Sequence, residues 1–195
     1  MLIRHRGHAP IVDSSAYIAP TATLVGQVRV GPRARVMYGA VLDAEDGAVE
    51  VGECSVICEN AVLRGDVRLG DHVFVGPHST LLGCHVQRCV YLAAGATVLQ
   101  EADLGAGAVV AIGAAVHART VLPDEVFVPP NNVAIGDQVY TPGDPALPQA
   151  IRSVEFARVA FGVDSDWEDR IRRYERMTEV RSAQFAAHLD DEIIE

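Results

Sequence analysis

The chain has 195 residues, of which 49% are hydrophobic and 22% charged, and a formal net charge of −10. That length and composition suit one sizeable core and exclude intrinsic disorder, while the acidic balance excludes a nucleic-acid partner, which needs clustered cations to neutralise phosphates. All sixteen basic residues are arginine, so Schiff-base chemistry and a lysine general base are excluded too.

Residues 1–17 read as an N-terminal strand and irregular segment. They lack the apolar run of a signal peptide, and no stretch of the chain approaches the roughly 20 apolar residues of a membrane span. A cytoplasmic protein with no membrane association is the expectation. His5 and His8 stand in this irregular start without the further ligands a metal tract needs.

From Ile18 onward the dominant signal is a repeat. Aliphatic residues recur every sixth position at Ile18, Leu24, Val30, Val36 and Leu42 and, after a gap of nine, at Val51, Ile57, Leu63, Leu69, Val75 and Leu81. A five-residue step leads to Val86, and the spacing of six resumes through Leu92, Val98, Leu104, Val110, Val116, Leu122 and Val128. The fifth position of each hexad is small or β-branched, as at Ala22, Ala34, Ala61 and Ser79, and the second is often glycine, as at Gly31, Gly52 and Gly70. Six is not a helical period, and an Ala/Gly/Val-rich stretch with Pro20, Pro32 and Pro77 makes poor helix. A triangular coil fits instead: the large aliphatic fills the interior and the small residue sits at a tight corner. The pattern predicts an all-β solenoid, a left-handed parallel β-helix over 18–135, with three hexads per coil and about six coils stacked at strand spacing. Flat prism faces of alternating side chains are best covered by another prism, which predicts a homotrimer.

Beyond Val128, Pro129-Pro130 and Pro142-Gly-Asp-Pro145 read as an exit loop, and a C-terminal helical appendage is predicted over 145–190. One helix is expected from Ala146 to Phe161, stopped by Gly162. A second opens on the capping-box sequence Ser165-Asp-Trp-Glu168 and carries Trp167, Ile171, Tyr174, Phe185 and Leu189 at helical spacing. Arg170, Arg172, Arg173 and Arg176 on that helix read as a solvated face pairing with glutamates, with a phosphate site as the alternative. Cys54, Cys58, Cys84 and Cys89 lack the C-x₂-C spacing of structural zinc and read as small buried thiols.

Three segments carry a family resemblance: Val36-Met-Tyr-Gly-Ala-Val-Leu42, Val51-Gly-Glu-Cys-Ser-Val-Ile-Cys-Glu-Asn-Ala-Val-Leu63, and Val73-Phe-Val-Gly-Pro-His-Ser-Thr-Leu-Leu-Gly-Cys84. Over roughly residues 10–135 the chain resembles the γ-class carbonic anhydrases of the hexapeptide-repeat superfamily, which also holds many acyltransferases. The tail Asn132-Val-Ala-Ile-Gly-Asp137 and the helix ending Phe161-Gly-Val163 are similar to a subgroup of γ-anhydrase-like proteins. The resemblance implies a trimer whose zinc is held by three histidines at the subunit interface. Carried onto this chain, those positions are Arg64, Pro77 and Leu82, and shifted by one coil they are Leu82, Ala94 and Leu99. No histidine stands in either register, so no metal, no cofactor and no CO₂ hydration are expected. The positions of the family's Arg-Gly-Asp interface motif hold Asp43-Ala-Glu45.

Counting three hexads per coil stacks Asp43, Arg64, Leu82, Leu99 and His117 in one column, with Glu59 and His78 near the neighbouring corner. In the trimer the resemblance implies, Arg64, Glu59, Asp66 and His78 fall around the former metal position. One reading pairs Arg64 with Glu59 or Asp43 as a structural salt bridge. A second keeps the pocket and changes its chemistry: Arg64 and Asp66 bind a small carboxylate-type molecule at the subunit interface while His78 or Glu59 moves a proton. A CoA-dependent acyltransferase or thioesterase and a non-catalytic structural trimer are the alternatives.

Overall fold

One large aliphatic residue at every sixth position leaves one inward side chain per short strand. In the first wall the centre of the strand is accordingly buried, as with Leu63 in Val62–Arg64, whereas in the second the two ends are, as with Val67 and Leu69 around exposed Arg68. The computed structural model describes residues 1–164 and 169–194. It is a left-handed parallel β-helix with a short C-terminal helical region. Three sheets form the prism walls. The first has ten strands, and the second and third have seven each.

Seven coils are stacked, one more than the repeat count predicts, because the first coil begins at Leu2 and not at Ile18. Leu2–Arg4 pairs in parallel with Thr23–Val25, and Ile11–Val12 with Val28–Val30. The hexad spacing is masked there because a small turn at Arg6 and Gly7, closed by mutual His5 and His8 backbone hydrogen bonds, is inserted between those two strands. An antiparallel partner caps each edge of the first sheet: Glu192–Ile193 beside Leu2–Arg4, and Gln138–Tyr140 beside Val133–Ile135. Such caps protect open backbone groups from pairing with another chain.

The anchors Leu24, Leu42, Ile57, Leu63, Leu81, Leu92 and Leu104 are fully enclosed, together with corner alanines such as Ala22, Ala61 and Ala96. Each enclosed Val, Leu or Ile contributes about 1.5–3 kcal/mol. Two corners use serine, with its hydroxyl satisfied: Ser55 Oγ donates to the Gly70 carbonyl at 2.9 Å, and Ser79 Oγ to the Ala93 carbonyl at 3.0 Å. At Gly52 a Cβ would lie 2.4 Å from the carbonyl carbon and oxygen of Gly70, so the close stacking of successive coils itself demands glycine. The thiols divide, since Cys58 and Cys84 are buried whereas Cys54 is half-buried and Cys89 exposed. The latter two occupy corner turns with positive φ, which turns their side chains away from the core.

Where one helix is predicted from Ala146 to Phe161, two form: α1 (Leu147–Ser153) and α2 (Phe156–Phe161). Glu155, at φ 53°, breaks them, and the bend lets Val154 and Ala157 both pack inward. Gly162, at φ 65°, ends α2 as expected. Helix α3 (Arg170–Phe185) is capped by Asp169, whose carboxylate accepts the Arg172 amide at 3.0 Å. The expected capping box at 165–168, with Trp167, lies outside the described residues. Arg170, Arg172 and Arg176 are exposed, as a solvated face requires, whereas Arg173 is buried. Ile171 and Leu189 are 75% and 86% exposed, so this segment buries less apolar surface than its periodicity suggests. A 3₁₀ turn, Ala186–Asp190, leads to the final strand. Among the described residues no helix is long and apolar enough to cross a membrane.

Candidate functional site

The ladder register of the first sheet aligns Asp43, Arg64 and Leu82, and its continuation aligns Leu99 and His117, so the predicted column exists on the sheet's outer face. Its covering comes from the same chain. Helices α1 and α2 seal the far end, where Leu99 and Ile135 pack with Val154, Ile151 and Phe156. His117 meets the Phe156 ring edge-on at 5.7 Å, and its Nδ1 accepts the Ala118 amide at 2.9 Å. Burial pushes the His117 pKa down, and the bond to Nδ1 fixes the neutral tautomer with the proton on Nε2. It is a packed core-edge histidine, separated from Arg64 by two leucines.

The near end of the column is covered by α3. The Arg64 guanidinium lies over the Phe185 ring, 5.1 Å from its centroid, and the Nε is 3.5 Å from both Asp43 Oδ2 and Glu45 Oε1. Those carboxylates have other partners. Asp43 is 4% exposed and accepts the Glu45 amide at 3.0 Å, while Arg181 Nη1 reaches both Glu45 oxygens at 3.2 and 3.3 Å. Arg181 also stacks over Phe161 at 5.0 Å, which fixes α2 and α3 to each other and to the sheet.

Between the sheet and these helices lies a cavity of about 480 Å³, lined by Arg64, Asp66, Leu82, Gln100, Arg181 and Phe185 among others. Among the described residues, two buried side-chain polar atoms have no hydrogen-bond partner in the protein, Arg64 Nε and Gln100 Oε1. Both residues line this cavity, and the Nη groups of Arg64 are neither hydrogen-bonded within the protein nor sealed from solvent. The cavity thus presents an unspent fork of donors and an unspent acceptor.

The four residues predicted for the site divide into two pairs. Arg64 and Asp66 line the cavity, although Asp66 lies nearest Arg68, at 3.6 Å. Glu59 and His78 do not line it. They lie in the stacked corner turns of two successive coils, where the His78 amide donates to the Glu59 carbonyl at 3.0 Å, and His78 is exposed at φ 59°. Of the two expected partners of Arg64, Asp43 is found and Glu59 is replaced by Glu45, because the turn after Asp43 folds back towards the same face. Sequence reasoning missed Glu45, Gln100, Arg181 and Phe185. Glu45 stood in the Asp43-Ala-Glu45 segment already noted, but nothing in the sequence joins it to Arg181, 136 residues away.

No family model matches the chain. It is 34% identical over 138 residues to "Gamma carbonic anhydrase 1, mitochondrial" of Arabidopsis thaliana, an alignment spanning 63% of this chain and 50% of the relative. To a "Carbonic anhydrase" of Geobacillus kaustophilus it is 26% identical over 111 residues, 55% of this chain and 61% of that one. The chain therefore spans about half the length of the first of these relatives. Among solved structures, a hexapeptide transferase family protein from Anaplasma phagocytophilum shares the fold with a TM-score of 0.65, 22% identity, and coverage of 93% and 96% of the two chains.

Proposed function

We propose that this chain, whose homologues are γ-class carbonic anhydrases, has set aside that family's zinc chemistry and binds a small carboxylate-type molecule against Arg64. One observation carries the reading: the Arg64 Nη groups stand without a hydrogen bond in the cavity, while neighbouring Glu45 is held by Arg181 and Asp43 accepts the Glu45 amide. A planar guanidinium with free Nη groups matches a carboxylate bidentately. Gln100 Oε1 adds an acceptor, which favours a carboxylate that also carries a hydroxyl or other donor. The donor set at the family's ligand positions supports the first half. The guanidinium, imide ring and isobutyl group of Arg64, Pro77 and Leu82 do not fit a zinc ion that takes neutral imidazoles, so no step here runs through that metal.

Isothermal titration of the wild-type protein with glycolate, acetate and bicarbonate tests the proposal. Saturable binding is expected for the carboxylates, with the hydroxy acid tighter than acetate. No heat with any of them, alongside saturable binding of a CoA thioester, would favour an acyltransferase of the same fold and overturn it.

The proposed assembly is a homotrimer. Its support is an outward column on the third sheet in which Tyr17, Tyr91 and Phe127 are 40%, 47% and 57% exposed. Uncovered apolar surface of this kind marks an association face. A proton-moving role for Glu59 and His78 requires such an assembly to bring them from the partner subunit. Light scattering is expected to give three times the 20.8 kDa chain mass, and a monomer at micromolar concentration would remove that role.

A further inference from the structure

The C-terminal segment returns to the first coil and brings together three potential ligands that are far apart in sequence. His5, 2% exposed, follows the first strand; His188 and Asp191 lie in and just after the 3₁₀ turn. His5 Nδ1 is 2.5 Å from Asp191 Oδ1, and His188 Nδ1 is 2.9 Å from Asp191 Oδ2. The two imidazoles stack with centroids 4.3 Å apart and planes 21° apart, both presenting Nδ1 to the one carboxylate. One ligand atom from each of the three residues falls within 4.8 Å of the others.

We infer that His5, His188 and Asp191 form a binding site for one divalent transition-metal cation of the zinc type. Two nitrogens and one carboxylate oxygen are a borderline-soft set, suited to zinc or cobalt and poorly suited to magnesium or calcium, which prefer all-oxygen shells. Metal–ligand distances of about 2.0–2.2 Å place neighbouring ligand atoms about 3.3 Å apart. The two imidazole–carboxylate contacts therefore need to open by less than an ångström. Behind it stands an outer carboxylate, Asp43, whose Oδ2 lies 3.8 Å from His188 Nε2. A small cavity of about 10 Å³ beside His5 and His188 has about the room one water needs as a fourth ligand.

A proton competes for the site. Arg6 Nε donates to His5 Nε2 at 3.2 Å, which in the metal-free form keeps the His5 proton on Nδ1, facing Asp191. Coordination moves that proton to Nε2 and displaces Arg6, whose side chain is exposed and free to leave. A bound cation would staple the tail to the first coil and hold Phe185 over Arg64.

The test starts from full-length protein stripped with EDTA and titrated with Co²⁺, read by visible absorption, then with Zn²⁺ in competition. The expected result is one ion per chain, a higher melting temperature with Zn²⁺, and at least about tenfold weaker binding in both His188→Ala and Asp191→Asn. His188→Cys, which supplies a thiolate ligand, should restore binding if the alanine variant is poorly folded. Glycolate titration of the same EDTA-stripped wild-type protein reads the carboxylate proposal without any metal, so failure of that proposal and failure of this one are separable. No saturable uptake at micromolar metal, or equal uptake by wild type and both variants, overturns the inference.

Discussion

Replacing Leu63 with alanine is expected to destabilise the protein by about 2–5 kcal/mol, the range for emptying a fully enclosed leucine position. Leu63 is 0% exposed and sits mid-strand in the ladder between Leu42 and Leu81. Parallel hydrogen bonds hold the backbone on both sides, so the coils cannot close over the lost volume, and the cavity term is felt in full. A solenoid coil touches only its neighbours, so the damage also interrupts the stack at its centre. The same truncation at Leu122, on the last, edge strand of the second sheet and 5% exposed, should cost clearly less. Urea denaturation with a check that the m-value is unchanged measures both. A loss below about 1 kcal/mol at Leu63 would mean that the coil repacks, contrary to a rigidly stacked core.

The second large effect belongs to Arg64, where stability and binding answer different questions. Arg64→Leu removes the cation nearest Asp43, a carboxylate 4% exposed that keeps the Glu45 amide and the more distant His188. Leaving such a group short of a partner costs about 1–3 kcal/mol. It should also abolish carboxylate binding. Arg64→Lys keeps the charge and should recover most of the stability, yet lysine offers no planar fork and stacks less well on Phe185, so binding should stay weak. Thermal melts and carboxylate titrations on both variants separate the roles. Binding unchanged in Arg64→Leu would leave the cavity without its proposed anchor, and an unchanged melt would show that Asp43 does not depend on this arginine.

The β-helix was legible because its cause is local and periodic. One aliphatic anchor per six residues and a small residue at each corner can be satisfied only by a coil that returns above itself, so the anchors from Ile18 to Val128 determined the solenoid before any contact was known. The same counting placed Asp43, Arg64, Leu82, Leu99 and His117 in one column, because ladder register follows from repeat length. It failed where the period is interrupted. The inserted turn at Arg6 and Gly7 hid the first coil, and the left-handed residue Glu155 split a predicted helix.

What covers the column was decided by tertiary structure alone. Helix α3 buries few of the apolar residues that its helical spacing sets out, and that spacing does not name the sheet it meets, so the pairing of Arg181 with Glu45 and the stacking of Phe185 on Arg64 arise only when the tail docks. The meeting of His5 with His188 and Asp191 has the same origin. The strand Glu192–Ile193 adds to the edge left open by Leu2–Arg4, and backbone hydrogen bonding at that edge, indifferent to side-chain identity, brings the histidines together. A repeat writes its own contacts into its spacing, whereas an edge pairing between the two ends of a chain leaves no spacing to read.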